Sequence, residues 1–239
     1  MKILNTILNY SNRTLYQETE MFSFTLDSIL VARFLNLNSR RKRIVDFGTN
    51  NAIIPLIISK YTEAEIVGLE IHPEAVALAR ENVELNHLEK QISIVETDIK
   101  DYAQVHNQEF DVVICNPPFF KMEGKPKLKE QPQKIQARHE VLITLEEIIA
   151  SAAKVLKNGG VLTMVHRAER TSEILLLLER YRFTPKRMQF VYSKAGQKAK
   201  TLLIDAVLNG KEGNDILPPL IAHQDDESYT PELLAMFRD

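Results

Sequence analysis

Phe110-Asp111-Val112-Val113-Ile114-Cys115-Asn116-Pro117-Pro118-Phe119 is the stretch that decides how the chain reads. Its first six residues form an apolar, largely β-branched run of the kind a strand buried on both faces requires. Two consecutive prolines then remove backbone donors and fix φ, so a ladder cannot continue past Asn116. The segment is expected to leave an open α/β sheet at the carboxyl end of a strand, the edge at which such sheets bind ligands. There it presents the Asn116 side-chain amide, the Pro117 carbonyl and the aromatic face of Phe119. That set suits a planar group carrying an exocyclic NH2: two acceptors take its two N–H bonds, and a ring stacks on its plane.

Working outward, strand patterns at 43–47, 65–69, 92–95 and 161–165 alternate with helical patterns at 52–60, 73–86, 145–156 and 169–181. Alternation of this kind argues for a parallel sheet with crossover helices. Pro55 and Pro73 sit near helix starts, where proline is tolerated. Val76, Ala79 and Val83 line one helix face. Asn158-Gly159-Gly160 reads as the C-terminal stop of helix 145–156. Segments 188–192 and 201–208 read as a closing β-pair, and 120–139 as a lysine- and proline-bearing loop. With no repeat and no strong linker, the chain reads as one α/β domain over 41–239 behind an N-terminal extension, 1–40.

The 239 residues are 44% hydrophobic and 26% charged, ordinary for a globular protein with a full core. The single cysteine, Cys115, excludes an internal disulfide and a cysteine-based zinc site and fits a reducing cytoplasm. Six histidines (72, 87, 106, 139, 166 and 223) show no ligand spacing, so no metal is expected. No run approaches the ~18 apolar residues of a membrane span. The start, Met1-Lys2-Ile3-Leu4-Asn5, lacks a signal peptide's apolar stretch. A cytoplasmic protein with no membrane partner is expected. Net charge is only −2, but basic residues cluster. One cluster holds Lys121, Lys125, Lys127, Lys129, Lys134 and Arg138; a second, over 179–200, includes Lys194, Lys198 and Lys200. Such patches are compatible with nucleic-acid contact and equally with a solvated surface.

Asp46-Phe47-Gly48-Thr49-Asn50-Asn51-Ala52 follows the first strand and opens a helix, where a glycine turn lets backbone approach a nucleotide or amino-acid moiety. It does not match the dinucleotide pattern G-x-G-x-x-G, which sets aside a nicotinamide dehydrogenase. The second strand ends in Glu70-Ile71-His72-Pro73. An acid about twenty residues beyond the turn, at a strand end, can hold both ribose hydroxyls. The third strand is followed by Thr97-Asp98-Ile99. Each acid on its own also fits a plain helix or loop cap.

Together, in order on successive strand ends, these motifs resemble class I S-adenosylmethionine methyltransferases. Their D-x-G-x-G-x-G turn is kept at Asp46 and Gly48, while Asn50 and Ala52 stand at the other two glycine positions. The resemblance implies a Rossmann-like α/β fold. Its sheet would be seven-stranded and mostly parallel, with helices on both faces and a C-terminal antiparallel β-pair. It implies S-adenosyl-L-methionine as cofactor, with Asp46, Gly48 and Asn50 in the turn, Glu70 at the ribose beside Ile71, Asp98 near the adenine amine and Ile99 against the ring. Asn116-Pro117-Pro118-Phe119 is similar to the motif of methyltransferases that modify an exocyclic or amide nitrogen. More narrowly, the chain resembles bacterial tRNA adenine-N6 methyltransferases acting on valine tRNA. Phe24-Thr25-Leu26-Asp27-Ser28-Ile29-Leu30 matches that group's F-x-x-D-x-x-L stretch, implying that Asp27 and the extension line the cofactor pocket. Ala137-Arg138-His139-Glu140 also resembles the group.

The function so implied is methylation of adenine N6 in RNA, tRNA in particular. Asn116 borders cofactor and substrate. Asn116 and Pro117 accept the amine hydrogens, and Phe119 stacks on the base. Lys121, Lys125, Lys127, Lys129, Arg138, Lys194 and Lys198 would meet phosphates. Two alternatives stay open. One is a protein glutamine methyltransferase, whose catalytic domain follows a longer helical domain than the 45 residues before Asp46 provide. The other is a non-catalytic RNA-binding relative whose cofactor site was lost with the two glycines. Oligomeric state is not legible.

Overall fold

The computed structural model describes residues 2–7, 13–18, 25–117 and 143–238. An antiparallel hairpin of β1 (Lys2–Thr6) and β2 (Thr14–Glu18) comes first, then helix α1 (Leu26–Phe34). The body continues with β3 (Arg43–Phe47), α2 (Ile53–Ile58), β4 (Glu65–Glu70), α3 (Pro73–Leu85), β5 (Ile92–Glu96), α4 (Ile99–Val105) and β6 (Phe110–Cys115). After residue 142 come α5 (Leu145–Val155), β7 (Leu156–Arg167), a 3-10 turn (Ala168–Arg170), α6 (Thr171–Arg180), β8 (Phe183–Tyr192) and β9 (Ala199–Leu208). Two short strands, β10 (Asp215–Ile216) and β11 (Leu220–Ile221), and helix α7 (Pro231–Ala235) follow.

The main sheet runs β10-β8-β9-β7-β6-β3-β4-β5, with β11 also on β8. Strands β3 to β7 pair in parallel, and β9 is antiparallel to both β7 and β8. The seven strands expected are β3 to β9. The two-residue strands β10 and β11 bring the sheet to nine by covering the outer edge of β8, which would otherwise present unpaired backbone. Strand alternation divides the core between two faces. Ile44, Ile66, Val112 and Ile114 pack with α1, α2 and α3; Val45, Phe47, Val67, Leu69 and Val113 pack with α4, α5 and α6. Local sequence marks two helix starts: Pro73 opens α3, and Thr144 with Glu147 forms a capping box on α5.

The structure departs from expectation in three places. The helix expected at 52–60 is confined to Ile53–Ile58, because Ala52 is left-handed and serves as its N-cap. Asn158-Gly159-Gly160 does not cap α5, whose C-cap Leu156 is extended. β7 begins at once by pairing Leu156 with Phe110, and the glycines form an irregularity before Val161 pairs with Val112. A short helix the periodicity does not announce, α4, follows Asp98. The expected loop 120–139 lies wholly within 118–142, outside the described residues. No described helix is long and apolar enough to cross a membrane. Residues of the first forty belong to the shared core: Ile7, Leu15, Ile29 and Leu30 pack with α2 and α3.

Candidate active site

Sheet register places the sequence motifs side by side. Phe47 pairs with both Leu69 and Cys115, so Gly48, Glu70 and Asn116 leave three adjacent strands at one level. Glu70 pairs with Glu96, which sets Asp98 just beyond the next strand end. The carboxyl ends of β3, β4, β5 and β6 thus converge on one edge, where the topology reverses around β3.

The turn after β3 keeps a left-handed backbone at all three positions that the glycine pattern marks. Gly48 has φ +75, Asn50 +50 and Ala52 +65. Asparagine tolerates this region; alanine does so at a cost of about 1–2 kcal/mol. Hydrogen bonds fix the shape. Gly48 N and Thr49 N donate to Leu69 O at 3.0 and 2.9 Å, and Ala52 N donates to Thr49 O at 2.9 Å. Asn50 N donates to Glu70 Oε2 at 3.0 Å. Thr49 lies down on β4 at Gly68, where any Cβ would come within 2.8 Å of Thr49 Oγ1. Glu70 is 7% exposed, and its Oε1 accepts from Ile71 N and His72 N at 2.9 and 3.0 Å. With three of roughly four lone-pair sites used, one remains on Oε2.

Beneath the turn, polar atoms lack partners. Asp46 Oδ1 and Oδ2, Thr49 Oγ1, and Asn51 Oδ1 and Nδ2 are all buried without a hydrogen bond. Each such atom costs about 1–3 kcal/mol if left unpaired. Burial pushes the Asp46 carboxyl up to about 7; the Glu70 charge adds to this, while the Thr49 hydroxyl, near but outside hydrogen-bonding geometry, opposes it.

Across the edge, Asn116 Nδ2 donates to Ser28 Oγ on α1 at 2.9 Å. The amide nitrogen is thereby occupied, and Oδ1 is left as an acceptor. Pro117 is buried behind it. The next side chain on α1, Asp27, accepts from Thr201 Oγ1 at 3.4 Å. Burial pushes its carboxyl up, with Arg167 and Thr201 pulling against that shift. Asp98 caps α4, accepting from Lys100 N at 2.7 Å, so the plain capping role holds there. Beside these acids Ile71 is 37% exposed, an uncovered apolar side chain, and Ile99 is half-buried. Burial, then Arg170, push His166 down to about 3, so its ring is neutral; burial, then Asp46, hold the Cys115 thiol well above its ordinary value.

Of the expected basic contacts, Lys194 is engaged by Glu227 and the Asp225 carbonyl, whereas Lys198 is exposed on the β8–β9 turn. Phe119, Lys121, Lys125, Lys127, Lys129 and Arg138 lie outside the described residues. Sequence reasoning gave no role to Ser28, Thr49, Asn51 or Asn82. Only Asn82 carried a signal: a polar residue within the apolar stripe Val76, Ala79, Val83. No group of three or more metal-ligating side chains occurs among the described residues.

Comparisons with known proteins bear on the family and the fold. A model of the family "Methyltransferase small domain" matches residues 12–191. A tRNA1(Val) (adenine(37)-N6)-methyltransferase of Porphyromonas gingivalis is 29% identical over 201 residues, covering 80% of this chain and 76% of that one. A protein of the same name from Bacteroides thetaiotaomicron is 26% identical over 230 residues, covering 94% of each chain. Among solved structures, a predicted O-methyltransferase from Agrobacterium tumefaciens superposes with TM-score 0.68 at 22% identity, covering 89% of this chain and 97% of that one. Pyrococcus horikoshii TYW2 in complex with MeSAdo superposes with TM-score 0.62 at 13% identity, covering 87% and 72%. Both share the fold.

Proposed function

The chain belongs to the methyltransferase small domain family, and from that premise we propose that it transfers a methyl group from S-adenosyl-L-methionine to the exocyclic N6 of an adenine in RNA, a tRNA in particular. The observation that carries the reading is the Asn116 amide. Its nitrogen is spent on Ser28 and its oxygen is left as an acceptor, one register step from the Asp46 turn. The names of the two bacterial relatives support adenine in tRNA over a protein amide. The left-handed backbone kept at Gly48, Asn50 and Ala52 argues against a decayed cofactor site.

The residues present fit the cofactor. Unpaired atoms of Asp46, Thr49 and Asn51 suit the amino and carboxylate groups of its methionine end. The remaining lone pair on Glu70 suits a ribose hydroxyl. Asp98, with Ile71 and Ile99 as apolar neighbours, suits the adenine. Asp27 and the N-terminal segment would close the pocket. S-adenosyl-L-methionine supplies a methyl group activated on a sulfonium sulfur. The rest falls to the chain.

An adenine amine is a poor nucleophile because its lone pair is delocalised into the ring. Asn116 Oδ1 and the Pro117 carbonyl accept its two hydrogens and favour a pyramidal nitrogen, acceptors aimed at charge that develops in the transition state. Holding the nitrogen in line supplies much of the remaining acceleration. The methylated nitrogen is acidic enough to lose its proton to water. Phe119 stacks on the base, which must leave its RNA stack, most easily from a single-stranded loop. Lys198 together with Lys121, Lys125, Lys127, Lys129 and Arg138 holds phosphates, Lys194 after release from Glu227. No metal is required, and the setting is cytoplasmic. The test is tritium-methyl transfer from labelled cofactor to a pool of unmodified tRNA transcripts, with cell protein as competitor. Label in the tRNA is expected; label in protein would contradict the reading.

A further inference from the structure

We propose that Asn82 is a positioning residue for the cofactor turn and couples that turn to the N-terminal hairpin. The inference rests on the cofactor reading above. Asn82 lies on α3 and is 0% exposed. Its Nδ2 donates to Asn51 O at 3.0 Å and to Tyr16 O at 3.1 Å, and its Oδ1 accepts from Tyr16 N at 2.6 Å. One helical turn further on, Asn86 repeats the device: Oδ1 accepts from Thr14 N at 3.2 Å, and Nδ2 donates to Thr14 O at 2.7 Å. Residues 14 and 16 are the alternate positions of β2, so two asparagines spaced i, i+4 serve as its second ladder partner, opposite β1.

Asn82 alone also reaches the turn. Left-handed Asn50 and Ala52 flank Asn51, the residue whose carbonyl Asn82 holds. A strained backbone persists only where its surroundings over-determine it. The other ties on the turn come from β4 and from the turn itself, through Leu69 O, Glu70 Oε2 and Thr49 O. The tie from Asn82 comes from α3, and the same amide docks β2. Whatever fixes the turn therefore also fixes the hairpin, and the coupling is reciprocal.

The experiment needs no mutation at first. Amide hydrogen exchange of the full chain is read with and without saturating S-adenosyl-L-methionine. Exchange at Tyr16, whose N–H is held by Asn82 rather than by a residue named at the cofactor, is expected to slow three-fold or more on binding. Calorimetry then compares variants. Asn82→Ala should weaken cofactor binding about ten-fold, and Ala52→Gly in that background should restore at least three-fold, since glycine adopts the left-handed turn unaided. Asn86→Ala, which loosens β2 without touching the turn, should change affinity less than three-fold. Binding with unchanged Tyr16 exchange would overturn the coupling, and equal losses in the Asn82 and Asn86 variants would overturn the positioning role of Asn82, since loosening the hairpin would then suffice. Failure of the wild-type chain to bind the cofactor would overturn the cofactor reading and this inference together.

Discussion

Asn116 and Ser28 stand 88 residues apart and meet through one hydrogen bond of 2.9 Å. The place of Asn116 was legible because a strand followed by two prolines fixes where it must lie. The contact with Ser28 was not, because nothing in a local window states which helix crosses that strand end. Replacing Asn116 by alanine should abolish methyl transfer while cofactor affinity stays within about three-fold; parallel loss of both would remove it from the substrate. Ser28→Ala should lower kcat about ten-fold through a misoriented amide, with little change in cofactor affinity, and Ser28→Thr should restore the rate. These magnitudes are those of one misplaced transition-state acceptor.

Asp46 makes the site sensitive to pH. Buried, its carboxyl titrates at about 7 against a model-compound value of 3.8, so between those values the folded chain keeps a proton that the unfolded chain has lost. Stability therefore falls as pH rises through that window. Binding of a cationic ligand beside Asp46 favours the ionised form, so affinity for S-adenosyl-L-methionine should tighten roughly ten-fold between about pH 5.5 and 7.5. Calorimetry across that range should find the slope in the wild-type chain and its loss in Asp46→Asn; a flat wild-type profile would deny the carboxylate a place at the ligand.

At the scale of elements, the turn before α2 shows where sequence and conformation part. Two of three glycines are missing, yet φ stays positive at each position, held by hydrogen bonds to Leu69, Glu70 and Asn82. Composition reports the cost of the substitutions; long-range contacts, which composition does not carry, report how they are tolerated. At Ala52 a glycine would relieve strain but lose a buried methyl and stiffen nothing, contributions of about 1 kcal/mol each with opposite sign. Urea titration should find Ala52→Gly within ~1 kcal/mol of the wild-type chain and Ala52→Val destabilised by about 3 kcal/mol, since a β-branched residue is an outlier there. Asn158-Gly159-Gly160 shows the opposite ambiguity: the same residues serve a helix stop or a strand irregularity, and the pairing of Leu156 with Phe110 selects the second. For the basic segments, charge reversal at Lys125, Lys127 and Lys129 should weaken RNA binding and flatten its dependence on salt. An unchanged salt slope would free those lysines from phosphate contact.

The molecule as a whole repeats a division visible in its parts. The parallel body and the closing β-pair are legible in the strand and helix patterns, because each element's periodicity is local, whereas the order of the strands in the sheet is not. The hairpin at the N-terminus did not declare itself, because its partners are Asn82 and Asn86, some seventy residues away, and its strands are short. The site is legible where strand ends bring motifs to one edge, at Asp46, Glu70, Asp98 and Asn116. It is illegible where a side chain from elsewhere completes it, at Ser28 and Asn82.

The central claim is that this edge methylates adenine N6. It is tested most directly by incubating unmodified tRNA with S-adenosyl-L-methionine and the purified chain, digesting the RNA to nucleosides, and separating methylated adenosines by mass spectrometry. N6-methyladenosine is expected from the wild-type chain and none from Asn116→Ala. Methylation at another atom of the base, or undiminished N6-methyladenosine from Asn116→Ala, would contradict it.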